Sequence, residues 1–341
     1  MFKKYENKGL TGLANLGNTC FVNTTVQCIS HIYELNDFLE KGTFENRINK
    51  KPDSLLLLEW NKLRKMMWSE NCTIQPGAFI STIQKVSKIQ NKSLFTGFAQ
   101  NDLPEFLIFL IDCFHTAISR EVEMTIRGKI KTKTDVVAKK CFEMMKNMYQ
   151  TDYSEFLDLF FGILVSQISL DTDEIISTKP EPFNLLTLPI PTKKNPTLRE
   201  CFELYVKEEV LEGDNKYFYE KTQKKEKVNK KIMFWKFPDI LIIQLKRFTN
   251  AGRKNQKYVD FPLEKLVLTD LIIGYEQDSF IYDLFGICNH LGTPRGGHYT
   301  SFVKNVNKWY HFNDATVNEI EQHKIKTNKA YCLFYRKKKK L

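Results

Sequence analysis

The stretch Gly12-Leu13-Ala14-Asn15-Leu16-Gly17-Asn18-Thr19-Cys20-Phe21-Val22-Asn23 places a cysteine where a polar, glycine-bearing loop gives way to helical spacing. Beyond it Val22, Val26, Ile29 and Tyr33 recur at the period of a helix. The thiol of Cys20 is therefore expected near a helix N-terminus, where the macrodipole favours a thiolate. Asn15, Gly17, Asn18, Thr19 and Asn23 make too polar a setting for a structural cysteine in a core. Near the other end, Gly296-Gly297-His298-Tyr299-Thr300-Ser301-Phe302-Val303 precedes Trp309-Tyr310-His311-Phe312-Asn313-Asp314. A thiol, an imidazole and an amide or carboxylate follow one another along the chain. They are the groups required for a nucleophile, its base and the partner that orients the base.

Around these ends the composition is that of a globular protein. The 341 residues are 42% apolar and 13% aromatic, enough for a sizeable core in one large or two ordinary domains. There is no run of 18 apolar residues, and Met1-Phe2-Lys3-Lys4-Tyr5 lacks the apolar core of a signal peptide. A soluble protein of the nucleus or cytosol, without a membrane partner, is expected. Eight cysteines with no CxxC pair suit reduced thiols. Apart from Cys20 they read as small buried hydrophobes, Cys28, Cys113 and Cys332 most clearly. The formal charge of +11 is dispersed among acidic and apolar residues, which argues against a nucleic-acid partner. The basic runs Lys221 to Lys227 and Arg336 to Lys340 read as solvated surface.

Helical spacing predicts helices over Cys20 to Leu39, Ser54 to Trp68, Gln75 to Ile89, Asp102 to Ala117 and Val136 to Tyr149. Short β-branched and aromatic runs predict strands at Ile163 to Ile168, Phe183 to Leu188, Ile240 to Leu245, Ile281 to Asn289, Tyr299 to Val303 and Tyr331 to Tyr335. A helical half followed by a β-rich half predicts an α+β fold, with Cys20 on the helical side, His298 on the sheet side and a cleft between them.

These two boxes resemble those of the ubiquitin-specific proteases, a family of papain-like cysteine deubiquitinases. Gly97-Phe98-Ala99-Gln100-Asn101-Asp102-Leu103-Pro104-Glu105-Phe106-Leu107 is similar to the family's intermediate box, and Phe234 to Phe248 to the strand ending in its Leu-Lys-Arg-Phe motif. The likeness runs from about Gly9 to Tyr335. It implies a single catalytic domain shaped as an open right hand: a helical thumb to about residue 155, β-rich palm and fingers interleaved over about 156 to 336, and a basic tail over 337 to 341. The implied reaction is hydrolysis after the C-terminal glycine of ubiquitin through an acyl-enzyme on Cys20, with ubiquitin and ubiquitinated proteins as partners and no cofactor.

By the same resemblance His298 is the base and His290 a shaper of the cleft, while His31, His115, His311 and His323 have structural or surface roles. Asn313 is the first choice for the group accepting the Nδ1 hydrogen of His298, with Asp314 supporting it. An amide there should tolerate substitution better than Cys20 or His298. The backbone N–H of Cys20 and the side chain of Asn15 would hold the oxyanion, although Asn15 also suits a turn. Gly296 and Gly297, with Tyr299 beside them, would floor a channel too narrow for anything but the glycine pair of the ubiquitin tail. Asp102 and Glu105 match positions that would take the tail arginine, next to Gln100. Their spacing puts both on one helix face and equally suits a capping pair. Pro104 is tolerable in a first helical turn. The loops Phe248 to Lys257 and Gly292 to Gly297 are suited to cover and uncover the cleft, as in relatives held misaligned until ubiquitin or a regulatory partner binds.

The chain departs from the family where many relatives carry a zinc ribbon. Leu170, Asp173, Tyr219 and Thr222 stand at the positions of its two CxxC pairs, and they offer no thiolate or imidazole. No metal is expected, and strand pairing should hold the fingers. The same chemistry on a ubiquitin-like modifier, or a non-catalytic ubiquitin-binding scaffold, are the alternatives.

Overall fold

A computed structural model describes residues 2–97, 99–249, 252–275, 280–293 and 296–339. Phe98 of the intermediate box, Asn250 and Ala251 of one loop, Pro294 and Arg295 of the other, and Lys340 and Leu341 of the tail lie outside the described residues. Among the described residues seven α-helices come first: α1 (Cys20–Ser30), α2 (Tyr33–Glu40), α3 (Asp53–Ser69), α4 (Gly77–Ile89), α5 (Leu103–Ala117), α6 (Lys133–Asp152) and α7 (Glu155–Phe160). The short strands β1 (Gly12–Leu13) and β2 (Thr73–Ile74) pair in parallel among them.

From residue 162 onward strands dominate, interrupted by α8 (Leu198–Val206). β3 (Gly162–Leu170) and β4 (Ile175–Phe183) form a hairpin. β5 (Leu186–Leu188), β6 (Glu209–Leu211), β7 (Tyr217–Tyr219), β8 (Lys224–Glu226), β9 (Val228–Lys236) and β10 (Ile240–Leu245) follow. β11 (Leu266–Val267), β12 (Ile281–Thr293), β13 (Gly296–Asn305), β14 (Lys308–Asn313), β15 (Thr316–Ile320) and β16 (Ala330–Lys337) complete the chain. Among the described residues the large sheet runs β15-β14-β13-β12-β16-β10-β5 with β11 beside β12, and a second sheet runs β4-β3-β9-β6. β10 shows why the large sheet is central. All but one of its residues are buried, and alternation sends Ile240 and Ile242 to the core shared with the helices and Leu241, Ile243 and Leu245 to the core on the opposite face.

Two expected elements divide in the structure. The helix read over Cys20 to Leu39 breaks after Ser30, because Ile32 is extended (φ −80°, ψ 92°) and Asn36 Nδ2 takes the Ser30 carbonyl at 2.7 Å. The segment Phe234 to Phe248 is not one strand. Pro238 separates β9, in the smaller sheet, from β10, in the large one. Likewise Phe183 ends β4, while Leu186–Leu188 is a separate strand paired with β10. Asp173 and Thr222 sit in the β3–β4 and β7–β8 hairpin turns, and among the described residues no cluster of three or more His, Cys, Asp or Glu side chains is placed to hold a metal. No helix of the described residues is long and apolar enough to cross a membrane.

Helix α1 is the pillar of the helical half. Every residue from Cys20 to Ser30 is buried, the polar ones included, against α5 on one side and β12 to β14 on the other. Its polar side chains act as braces to the neighbouring chain. Asn23 Nδ2 donates to the Leu13 carbonyl at 3.2 Å, and Gln27 Nε2 donates to the Thr11 carbonyl at 2.8 Å. Just past its end, fully buried His31 contacts the Gln27 carbonyl through Nδ1 at 2.9 Å and packs on Tyr33, Trp68 and Phe312.

Burial pulls the His31 imidazole down to about 4. In the unfolded chain an imidazole titrates near 6.5, so between these values the unfolded state binds more protons and acid favours unfolding. Stability should be intact above about pH 7.5 and fall by about 2 kcal/mol between there and about pH 5 from this residue alone. Denaturant midpoints measured across that range check it, and His31→Leu should flatten the slope.

Two readings of single residues need correction. Cys72 is exposed, unlike the other cysteines, because it lies in the bend leading into β2 rather than on a packed face. Arg336 is not a solvated charge. Its guanidinium lies over the rings of Phe2, Tyr33 and Phe285 at 4.5 to 4.9 Å and pairs with Glu34 at 3.1 Å. Lys338 and Lys339 beyond it are exposed, as are Lys221, Lys224, Lys225 and Lys227.

Candidate active site

The loop before α1 is shaped by Asn15. Its Oδ1 accepts from the N–H groups of Gly17 and Thr19, both at 3.1 Å, while Gly17 and Asn18 take left-handed backbone angles. The turn delivers Cys20 as the first residue of α1, against the start of β13, where the backbone N–H of Tyr299 favours its thiolate form. The expected thiolate does not follow. Burial, with the residue 2% exposed, pushes Cys20 up from its usual range, and the nearby negative charge of Asp314 adds to this against the backbone donors. A helix terminus is worth about 1 kcal/mol, less than the cost of stripping water from a thiolate. Alkylation of Cys20 in the free protein should therefore be slow at neutral pH and accelerate through the alkaline range, measurable as iodoacetamide incorporation against pH.

His298 follows the glycine pair at the start of β13. Its Nε2 lies 2.6 Å from Asn313 Oδ1 and 4.0 Å from Asp314 Oδ2. This corrects the expectation that Nδ1 would face the orienting group. Asn313 ends β14, one strand over, and the ring reaches it with its outer nitrogen, so Nδ1 is left for other work. Since an amide oxygen can only accept, Nε2 carries the proton.

Asp314 is placed differently. It starts the turn between β14 and β15 with φ +49°, its backbone carbonyl accepts from Leu13 N–H at 2.9 Å, and its carboxylate is shared by two amides. Oδ2 accepts from Asn15 Nδ2 at 3.0 Å and Oδ1 from Asn23 Nδ2 at 2.8 Å. Asn15 is thus both the turn former and a side chain aimed at the site, with one N–H committed to Asp314. Asp314→Ala is expected to cost more turnover than Asn313→Ala, about a hundredfold against about tenfold in kcat, because it releases two braces and a charge rather than one orienting contact. Only Asp314→Ala should also lower Tm. Steady-state kinetics and thermal melts on both variants test this, and the reverse ranking would make ring orientation the dominant factor.

The expected tail-binding residues gather on the other side of His298. Gln100 spans the cleft to Gly297, with Oε1 accepting from its N–H at 2.7 Å and Nε2 donating to its carbonyl at 2.8 Å. Tyr299 is buried, and its hydroxyl and that of Tyr331 donate to Asp102 at 3.3 and 3.0 Å. Asp102 is the N-cap residue of α5 by position, but its carboxylate serves these tyrosines rather than a cap. Burial pushes it up, opposed by the Tyr331 hydroxyl and reinforced by Glu105 one turn on, which is exposed. Pro104 lies in the first turn of α5. Gln100, Asp102, Tyr299, His290, Phe248 and Thr293 line a cavity of about 220 Å³ together with Asn101. His290 forms the wall beneath Gly297, its ring 4.6 Å from that of Tyr299.

A thiol on a rigid helix, an imidazole oriented by an amide across a cleft, and a glycine strand beside them make a site for attack on a carbonyl. Compared with known proteins, residues 11–335 match the family model described as ubiquitin carboxyl-terminal hydrolase. The chain belongs to the ubiquitin carboxyl-terminal hydrolase family. It is 32% identical over 344 residues to ubiquitin carboxyl-terminal hydrolase 2 of Bos taurus, covering 96% of this chain and 55% of that protein. It is 34% identical to the Gallus gallus protein of the same name, covering 96% and 93%. The chain thus spans about half the length of the mammalian relatives it matches. A solved SAGA DUB module of Ubp8, Sgf11, Sus1 and Sgf73 bound to ubiquitin aldehyde is similar with a TM-score of 0.75 and 25% identity, over 98% of this chain and 71% of that one. A second, bound to monoubiquitin, gives 0.73 and 26% over 97% and 70%. The fold of this family member is accordingly the α+β, papain-like fold of ubiquitin-specific protease catalytic domains.

Several residues that shape the site of this hydrolase-family chain were not legible as such in its sequence. Asn23, one turn beyond Cys20 on the same helix, had the spacing to be found. Tyr331 had no local signal, since β16 reaches the site only through the sheet, and Lys254 was marked only as part of the loop Phe248 to Lys257, not by its own side chain.

Proposed function

We propose that this chain is a thiol-dependent deubiquitinase that hydrolyses the peptide or isopeptide bond after the C-terminal glycine of ubiquitin, in protein conjugates or polyubiquitin chains. The observation that carries the reading is Cys20 at the head of buried α1 against β13, whose first residues supply both the glycine pair and a His298 oriented by Asn313. His298 takes the thiol proton as sulfur attacks the carbonyl carbon, and the Cys20 N–H and the Asn15 amide hold the oxyanion, each such donor being worth about 3 kcal/mol. Collapse expels the amine, which leaves with the proton from His298, and a thioester to Cys20 remains. Water, deprotonated by His298, then releases the glycine carboxylate and restores the thiol.

Asp102 and Glu105 are the groups for the tail arginine, and Gly296, Gly297, Tyr299 and Gln100 shape the channel for the glycine pair. The fold reads as a thumb over residues 1 to 155 with fingers and palm interleaved after it. A regulatory protein partner is in keeping with the SAGA modules' composition, and the setting we infer is the nucleus or cytosol.

Purified wild type and Cys20→Ala, each incubated with ubiquitin carrying a C-terminal electrophile and read by intact mass, test the reading. A ubiquitin-like modifier probe is run in parallel. An adduct on wild type alone, selective for ubiquitin, is expected. Preference for the other probe would redirect the substrate class, and no adduct on folded protein would leave a binding scaffold or a partner-activated enzyme.

A further inference from the structure

The Lys254 ammonium lies 3.1 Å from His290 Nδ1 and 2.7 Å from the His290 carbonyl oxygen. An ammonium only donates, so Nδ1 must accept and the ring proton sits on Nε2. That nitrogen is on the Gly297 side, where a Cβ added to Gly297 would come within 2.4 Å of it. Lys254 is itself held in place. Buried Arg247 donates to the carbonyls of Asn255 and Lys257 at 3.0 and 2.9 Å, and Phe248 pairs with Lys254 across a short bridge. Lys254 therefore connects the segment after β10 to the wall of the cavity beside the catalytic base.

We propose that Lys254 is a positioning residue for the tail channel: by donating to both atoms of His290 it fixes the Nε2–H tautomer, seats the ring beneath Gly297 and presents Nε2–H as a donor to the incoming tail. Gly297 and Tyr299 flank His298 directly, so the ring that supports them both sets the level of the strand carrying the base. Burial and the Lys254 charge together hold the His290 imidazole down at about 4, so the ring stays neutral at neutral pH. The inference rests on the deubiquitinase reading for its kinetic consequences and on geometry alone for the tautomer.

Two measurements on the full chain test it. In nitrogen-15 spectra of histidine-labelled protein, the His290 signal, assigned by its loss in His290→Ala, should show the Nε2–H tautomer in wild type and drift toward an average of both in Lys254→Met. An Nδ1–H pattern in wild type, or no change in the variant, overturns the proposal. With a fluorogenic ubiquitin amide, Lys254→Met should lower kcat/KM about tenfold, mainly through KM, yet change it less than about twofold when introduced into His290→Ala. Independent, multiplying losses would mean that Lys254 does not act through His290. A wild type that neither turns over the amide nor forms an adduct with electrophile-bearing ubiquitin would count against the deubiquitinase reading, and the tautomer would still decide for or against Lys254.

Discussion

Replacing Cys20 with alanine is expected to lower kcat/KM on ubiquitin amides by at least about 10⁴-fold, with ubiquitin still bound and Tm unchanged or slightly raised. In the proposed reaction the thiol supplies the covalent intermediate, and Cys28 is not placed to substitute: two turns along the same helix, it points to Cys288 at 3.5 Å in the core. His298→Ala should be comparably severe, because a thiol that burial holds protonated cannot attack without a base. The double variant should be no worse than either single one, since the two groups act as a unit. Calorimetric binding of ubiquitin to the inactive variants separates lost chemistry from lost recognition. Losses that multiply would mean that Cys20 and His298 do not share a step.

The second large effect is expected at Gly297. An alanine Cβ there would lie 2.4 Å from His290 Nε2 and 2.4 Å from the Leu291 carbonyl oxygen, and a backbone oxygen within a sheet pair cannot step aside. The strand must shift, and with it His298, the next residue. Gly297→Ala should cost about 10²-fold in kcat/KM, the scale for a misplacement of about 1 Å in a catalytic group, and lower Tm by several degrees. Gly296→Ala is the control. Among the described residues its added carbon would approach no closer than 3.8 Å, to Gln100 Oε1, so the fold should be unaffected and any loss should appear in KM as the channel narrows. Equal effects on Tm from the two substitutions would remove the steric argument.

The sequence carried the larger features because they rest on local pattern. The period of α3 to α6, the apolar run of β10 and the polar loop before Cys20 each reflect a choice made within a few residues, and the helical and β-rich halves follow from their order. What it did not carry depends on contacts far along the chain. The break at Ile32 is set by Asn36 reaching back to Ser30, and the ring nitrogen of His298 that meets Asn313 is set by the spacing of two strands. The protonated resting state of Cys20 is a further case. Position at a helix start is local, but burial by β13 and the field of Asp314 are not. Asp102 shows the same limit, since capping and tail-binding patterns are identical until Tyr299 and Tyr331 arrive from two other strands.

Helix α1 carries the proposed nucleophile and has no face in water. To displace Cys20 would mean unpacking the middle of the molecule, so the sulfur is in effect a fixed anvil. His298, by contrast, stands near the end of a strand whose first glycine is exposed, and it is tied down by side chains that can let go one at a time: the Asn313 amide, the Gln100 bridge and the His290 ring. Any tuning of this site by substrate, partner or mutation then has one practical direction, toward or away from the anvil on the histidine side. A crystal with a tethered tail should accordingly differ from the free protein in β12 and β13 while superposing on it along α1.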